Sequence, residues 1–508
     1  MKTIKKIILG LLLIQLPSCE LLDLKPADTY SIDNYWDTKD QVSRFFTGLH
    51  KRIRDRQFVF MQLGEFRGGL LDPSPTSVLG QTKTDVDIIG NLISLENPGV
   101  TSFGNCYMDI MQINHAIERL NNYVSCLNED EKNYYLGIAH GIRSYYYFHL
   151  LRTWGGVPLV SEPEVLKGVS TPTALNKKRA TEMETMEFIK TDILKSEEYL
   201  KKEHFSYNTK FGKSFWSKAA TLALKGDIFL WSAKVKPIGS STVFSEKPAD
   251  DIETARIALT SVWNATGTLP NDFAGIFNYN NKENDEIIFA IPYIINEKSN
   301  SFALFTYPAS TFSGYKDATG KTLDNPLSVG TDGGSRYEYK WSFFESIAST
   351  DKRKAASFQD YYKGSIKGIY LHKFKGTMDG TIRWFTDDWP IYRTADIALM
   401  LAECYNAQDN SGQVKTFIEL IRRRAYGRNY PEFTYVDKAT SELAILREYA
   451  VEFIAEGKYW YQLRRLSEGS EALKLVKNND PEFLLWPIDM STMSKDPLLE
   501  QNNAYKNQ

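Results

Sequence analysis

Cysteine is scarce in this 508-residue chain: there are four, Cys19, Cys106, Cys126 and Cys404. The last three lie in apolar helical patterns, so they read as buried thiols and not as a disulfide framework. Histidine is nearly as rare. The six (His50, His115, His140, His149, His204 and His372) are scattered without metal-ligand spacing, so structural roles are expected. Several enzyme motifs are also absent: there is no G-x-S-x-G elbow, no H-E-x-x-H and no phosphate-cradling glycine loop. Ser349 and Lys352 spell S-x-x-K, but the companion S-D-N and K-T-G motifs are missing. Positive charge is not in excess either. The formal charge is −2, so no net field gathers phosphate and nucleic acid is not an expected partner. Past the first 18 residues no apolar run approaches the ~20 residues that a spanning helix needs.

What is present begins at the N-terminus. Lys2, Lys5 and Lys6 precede an apolar run from Ile7 to Leu16, then Pro17, Ser18 and Cys19. This is a secretory signal over 1–18, and Leu16, Ser18 and Cys19 resemble a bacterial lipobox, in which the cysteine is acylated and the chain is cut before it. Cys19 is therefore the expected lipid attachment site. Residues 19–35 form an extended tether, with Glu20 and Asp23 close behind the anchor. Loss of residues 1–18, with three Lys and no acid, would leave a charge of −5. Aromatics are abundant, at 13%.

Helical periodicity dominates two blocks. The first has candidate helices at 36–58, 101–124, 129–153, 178–202, 214–235 and 251–264, the second at 390–408, 411–425 and 440–467. Residues 266–389 are rich in Gly, Asn, Asp, Ser and aromatics and keep no 3.6 period. A structureless loop of that length is abnormal, so this reads as a folded insertion of loops, short strands and small helices. The expected organisation is an N-terminal helical part at 36–265, the insertion at 266–389 and a C-terminal helical part at 390–508, together one compact unit. Ala219, Ala223 and Gly226 form a row of small residues, as do Ala395, Ala398 and Ala402, which suits close helix packing. In the 440–467 helix, Thr440 and Ser441 are candidate caps. Glu448, Glu452 and Glu456 fall in one i, i+4 row, for which Arg422, Arg423 and Arg424 are the natural partners.

Six co-ordered stretches then carry a specific resemblance. They are residues 148–160 (FHLLRTWGGVPLV), 216–234 (WSKAATLALKGDIFLWSAK), 389–406 (WPIYRTADIALMLAECYN), 421–427 (IRRRAYG), 447–465 (REYAVEFIAEGKYWYQLRR) and the ending from Leu485 to Tyr505. Together they look like the hallmark segments of the SusD/RagB family of nutrient-binding lipoproteins. The resemblance implies a mainly α fold of irregular tetratricopeptide-like helix pairs in a right-handed superhelix, with a loop-rich insertion carrying the ligand. It also implies a surface-exposed lipoprotein of the outer membrane of a Bacteroidetes-type bacterium. Such a protein captures oligosaccharides without altering them, passes them to a SusC-like TonB-dependent transporter and needs no cofactor. The same scaffold capturing peptides, a surface glycoside hydrolase and a purely structural lid are the alternatives. A hydrolase would need only two carboxylates, whose separation no sequence reveals. One departure stands out: many relatives read Glu-x-Arg-Gly-Asp where this chain has Glu65-Phe66-Arg67-Gly68-Gly69, with Asp72 three residues later.

Sugar binding needs flat aromatic faces beside planar polar groups. Trp384 and Trp389 flank Asp387 and Asp388, with Arg383 adjacent, and form the leading candidate platform. Tyr307, Tyr315 and Trp341 in the insertion, and Arg67 and Asp72 on the early loop, are further candidate ligand contacts. For metal, Asp85, Asp87, Gly90 and Glu96 fall at positions 1, 3, 6 and 12 of an EF-hand-like loop, a calcium candidate weakened by Ile89 at position 5.

Overall fold

The structure, a computed structural model, describes residues 35–74, 83–169, 171–202, 212–300, 302–308, 312–329 and 335–506. The signal, Cys19 and nearly all of the tether lie outside the described residues. Helix α1 (Lys39–Glu65) opens on a reciprocal cap: Thr38 Oγ accepts from the Gln41 amide, and the Gln41 side chain accepts from the Thr38 amide. Its stripe of Val42, Phe46, Leu49, Ile53, Phe60 and Met61 is buried. A short α2 (Lys83–Ile89) is followed by α3 (Phe103–Asn122) and α4 (Glu129–Trp154). Every residue of α4 from Leu136 to Trp154 is buried, as befits a helix surrounded by others.

Helices α5 (Glu182–Tyr199), α6 (Lys218–Lys234) and α7 (Pro248–Thr266) follow. Neighbours in the chain pack side by side: α3 on α4, α4 on α5, α5 on α6, α6 on α7. The small-residue row on α6 does what its spacing suggests, since a Cβ on Gly226 would lie 2.4 Å from Leu259 of α7. After the insertion, with its short α8 (Trp341–Ser346) and α9 (Lys352–Ser357), come α10 (Thr394–Ala407), α11 (Ser411–Tyr426), α12 (Lys438–Glu452) and α13 (Tyr459–Arg465). Helix α10 packs on α7, α11 and α12 and joins the two helical blocks.

The expected helix at 440–467 is two helices. Asp437, not Thr440 or Ser441, caps the first, its Oδ1 accepting from the Thr440 amide at 2.7 Å. The chain breaks between Glu452 and Tyr459, where Ala455 and Gly457 have φ of 62° and 70°. Gly457 meets α1 backbone to backbone, so that a Cβ on Gly64 would fall 1.7 Å from its carbonyl oxygen. The helix expected at 390–408 starts late, at Thr394, because residues before it form a strand.

The insertion is folded. Strands β2 (Ile287–Ile291) and β10 (Trp389–Arg393) pair antiparallel, so the segment enters and leaves through one two-stranded ribbon, buried apart from a half-buried Ile391. Between them β3 (Tyr315–Lys316), β4 (Thr322–Leu323), β6 (Phe358–Lys363) and β7 (Ile366–Leu371) make a sheet of order β4-β3-β6-β7. Strand β5 (Tyr337–Tyr339) pairs with β1 (Leu71–Pro73) from the early loop, and β8 (Thr377–Asp379) with β9 (Ile382–Trp384) forms a hairpin. Cys106 and Cys404 are buried free thiols and Cys126 a half-buried one.

The carboxylate row is the centre of a buried ion network. Glu448 binds Arg353 and Arg422 at 3.0 and 2.7 Å, Glu452 binds Arg393 at 2.7 Å and Arg424, and Glu456 binds Lys373 at 2.6 Å. Arg422 and Arg424 are thus partners as expected, whereas Arg423 pairs with Glu419 at the surface. Arg353, Arg393, Lys373 and Glu286 come from outside the neighbouring helices and carry no local pattern that would announce them.

Candidate ligand-binding surface

The structure divides the expected ligand contacts into interior and surface. Four are interior. Tyr307 is fully buried; its hydroxyl donates to Asn325 at 2.8 Å and accepts from the Leu327 amide at 2.9 Å. Tyr315 is buried in β3, edge-on to Tyr361. Trp389 is buried in β10 and stacks on Phe374 with centroids 5.8 Å apart. Arg67 is a structural tie, 1% exposed, donating to Asn91 and to the carbonyls of Phe483 and Leu484, over the rings of Trp460 and Trp486. All four are corrected to core roles, because each has its polar atoms or ring faces already taken.

Asp72, Trp341, Arg383 and Trp384 are open to solvent, Asp72 exposed and the others half-buried. Asp72 sits on β1 directly opposite Glu338 of β5, with Lys340 Nζ 3.9 Å away. The Tyr361 hydroxyl donates to Glu338 at 3.1 Å. Burial pushes the Glu338 carboxyl up to about 8; the Tyr361 hydrogen bond opposes this and the Asp72 charge adds to it. Trp341, at the start of α8, lies edge-on to Tyr362 at 5.7 Å, with Lys367 Nζ 4.4 Å from its ring centre. Asp72, Glu338 and Lys340 thus gather beside Tyr361, and Trp341 and Lys367 beside Tyr362; as Tyr361 and Tyr362 are successive residues of β6, the two groups lie on opposite faces of that strand. Tyr362, Glu338 and Lys367 were not singled out by sequence reasoning; an alternating strand pattern at 358–371 was the signal available.

The hairpin gives a second open position. Trp384 ends β9, paired with Thr377, and has no ring neighbour among the described residues. Arg383 beside it donates to the carbonyls of Leu327 and Lys375 and so fixes the hairpin against the loop at 327.

The calcium candidate fails. Asp85 and Asp87 are on a helix, α2, where two residues apart means faces turned by roughly 200°. Asp85 lies 4.0 Å from Arg336, Asp87 accepts from Asn97 at 2.6 Å and Glu96 is exposed. Among the described residues no group of three or more His, Cys, Asp or Glu could hold a metal ion. No described helix is long and apolar enough to cross a membrane.

Comparison with known proteins matches this architecture end to end. Residues 304–505 match the model of the SusD family, and residues 74–225 match one described as starch-binding associating with outer membrane. SusD-like protein P38 of Formosa agariphila is 25% identical over 532 residues, covering 96% of each chain. The crystal structure of a SusD superfamily protein from Bacteroides fragilis is 33% identical, covers 93% of this chain and 100% of its own, and superposes with a TM-score of 0.83. A laminarin binding SusD-like protein shares the fold with a TM-score of 0.72 at 17% identity, over 92% of this chain and all of its own. The helix pairs, the ribbon-bounded insertion and the co-ordered segments from Phe148 to Tyr505 are those of the SusD/RagB family, to which this chain belongs.

Proposed function

We propose that the protein is a non-catalytic, cell-surface glycan-capture lipoprotein that holds oligosaccharide or polysaccharide and delivers it to a SusC-like TonB-dependent transporter. Acylation of Cys19 anchors it to the outer membrane in this reading. Family membership supports the class of function, as do the match to a family described as starch-binding and the shared fold of a laminarin binding SusD-like protein. One observation carries the placement of the site. Of the aromatic candidates, only Trp341 and Trp384 stay half-exposed, each on the insertion and each beside polar groups. Such faces stack on the C–H faces of sugar rings, and in this reading the separate group of Asp72, Lys340 and Glu338 takes hydroxyls. A protonated Glu338 both donates and accepts, which suits a hydroxyl better than a carboxylate does.

The test is calorimetric titration of the mature body, with Cys19 replaced, against a panel of polysaccharides and peptides. Binding to one glycan class without product release, weakened about tenfold by Trp341→Ala or Trp384→Ala, is the expected result; tenfold is about 1.4 kcal/mol, the scale of one aromatic contact. Binding to peptides alone, or glycan binding indifferent to both substitutions, would overturn the reading.

A further inference from the structure

Behind the β8–β9 hairpin lies a cleft of about 560 Å³, walled by the helical turns Ala274–Phe277 and Tyr279–Asn281, by α9 and by residues 372–378. Its size falls in the range of small-molecule sites. Arg383, Thr377 and Met378 of the hairpin line it. Met378 and its partner Arg383 line the cleft, whereas Trp384 does not. The cleft and the Trp384 face are therefore distinct surfaces.

One lining group is unsatisfied. Asp387 is 2% exposed; its Oδ2 accepts from the Gly376 amide at 2.7 Å, and its Oδ1 has no partner among the described residues. A buried carboxylate oxygen without a donor is costly, and native structures leave few. The next residue, Asp388, shows the contrast, being bound by Lys282 at 2.6 Å and by the Tyr293 amide at 3.0 Å. The backbone beside Asp387 is also strained. Phe374, another lining residue, has φ of 60°, a region that bulky side chains avoid and that gathers at functional sites. The remaining lining mixes apolar side chains such as Ala355 and Met378 with Lys352, Lys373 and Lys375 and with planar polar groups. Asn278 and Asn280 carry exposed amides, Tyr279 is half-buried, and burial with help from Lys375 pushes the His372 imidazole down to about 4, so it is neutral at physiological pH.

We propose that this cleft is a second saccharide site, in which a single sugar ring or a disaccharide donates hydroxyls to Asp387 and meets Asn280, Tyr279 and His372 at the wall. The choice of ligand rests on the glycan-capture reading. The site would hold a chain end or a side branch of a polymer lying on Trp384.

Ligand-observed saturation-transfer NMR on the full mature chain in detergent micelles tests this, with glucose, galactose, mannose, N-acetylglucosamine, cellobiose and laminaribiose as probes. The variants are the double Trp341→Ala/Trp384→Ala, Asp387→Asn and Asn280→Ala; Asn280 is exposed, so its loss leaves the fold intact. Transfer to at least one sugar is expected to survive in the double variant and to fall at least fivefold in both Asp387→Asn and Asn280→Ala. Absence of transfer in the double variant, or transfer that Asp387→Asn and Asn280→Ala leave unchanged, overturns the second site. Polysaccharide titration of the same samples separates the two proposals. Polymer binding with a silent cleft removes the cleft and keeps glycan capture, whereas sugar transfer lost in Asp387→Asn without polymer binding removes capture and keeps the cleft.

Discussion

Glu338 and Asp72 face each other across the β1–β5 ladder, where like charges destabilise a pair. The protein avoids most of that repulsion by keeping Glu338 protonated: burial raises its pKa from 4.5 to about 8. The sign of the consequence follows from proton linkage. The folded chain binds a proton that the unfolded chain has released, so stability is full below about pH 4.5 and falls as pH rises towards 8. Glu338→Gln removes that dependence, and its Tm, followed by scanning calorimetry, is expected to vary less between pH 5 and 8 than that of the parent. An unchanged slope would show that Glu338 titrates normally. Glu456 is the opposite case. Burial again favours its neutral form, but Arg393, Lys373 and Lys458 outweigh it and hold the pKa at about 2. These two outcomes are not legible in the sequence, because they depend on partners 72 to 338 in one direction and 373 to 456 in the other. The same holds for Arg67. As a cation in an early loop it resembles a ligand contact, yet apart from Asn91 its acceptors are carbonyls more than 400 residues downstream. Trp389 and Tyr307 mislead for a related reason, since an aromatic in a polar stretch is core or platform according to what folds over it.

Elements were far more legible, and where they were not the reason is local. Helices α1, α3, α4, α5, α6, α7 and α11 lie where the 3.6 period places them, because each buries a face or, in α4, its whole circumference. Strand β10 passes for a helix start because Pro390 fits the first turn of a helix as well as it fits this ribbon. The α12–α13 break was hidden by a stripe that keeps helical spacing across it. What decides there is contact with α1: Gly64 and Gly457 let two backbones touch, and only glycine accepts φ of 70° without strain at that crossing. Gly64→Ala forces a methyl group into the Gly457 carbonyl, where no flexible side chain can yield. A loss of about 3 kcal/mol is expected, at the upper end for overpacking, read as a shift in the urea midpoint at unchanged m-value. A shift below about 0.5 kcal/mol, the range of ordinary surface substitutions, would mean that α1 and the α12–α13 turn separate easily.

On the scale of the molecule, the sequence divides into helical, loop-rich and helical parts, but the interactions do not respect those borders. The ion network takes Glu286, Arg353 and Lys373 from the insertion and Arg393, Arg424, Glu448, Glu452 and Glu456 from the C-terminal part. Strand β1 pairs with β5, joining the N-terminal part to the insertion, and Arg67 ties the end of α1 to the chain's last segment. The buried apolar residues form one cluster that runs from Trp36 to Tyr505. Unfolding the insertion alone would take Glu286 from Arg393 and Arg424, Arg353 from Glu448 and Glu452, and Lys373 from Glu456, and breaking a buried ion pair from one side costs about 3–5 kcal/mol. The insertion therefore has no low-energy way to open by itself. The chain is expected to unfold in one calorimetric transition with van't Hoff and calorimetric enthalpies in agreement, although its length exceeds that of ordinary two-state domains. Arg393→Met should lower the Tm while keeping a single transition, since it weakens every part at once. Two resolved transitions in the parent protein would show instead that 266–389 is an independent domain resting on the helices, and that the network is a contact surface and not a shared core.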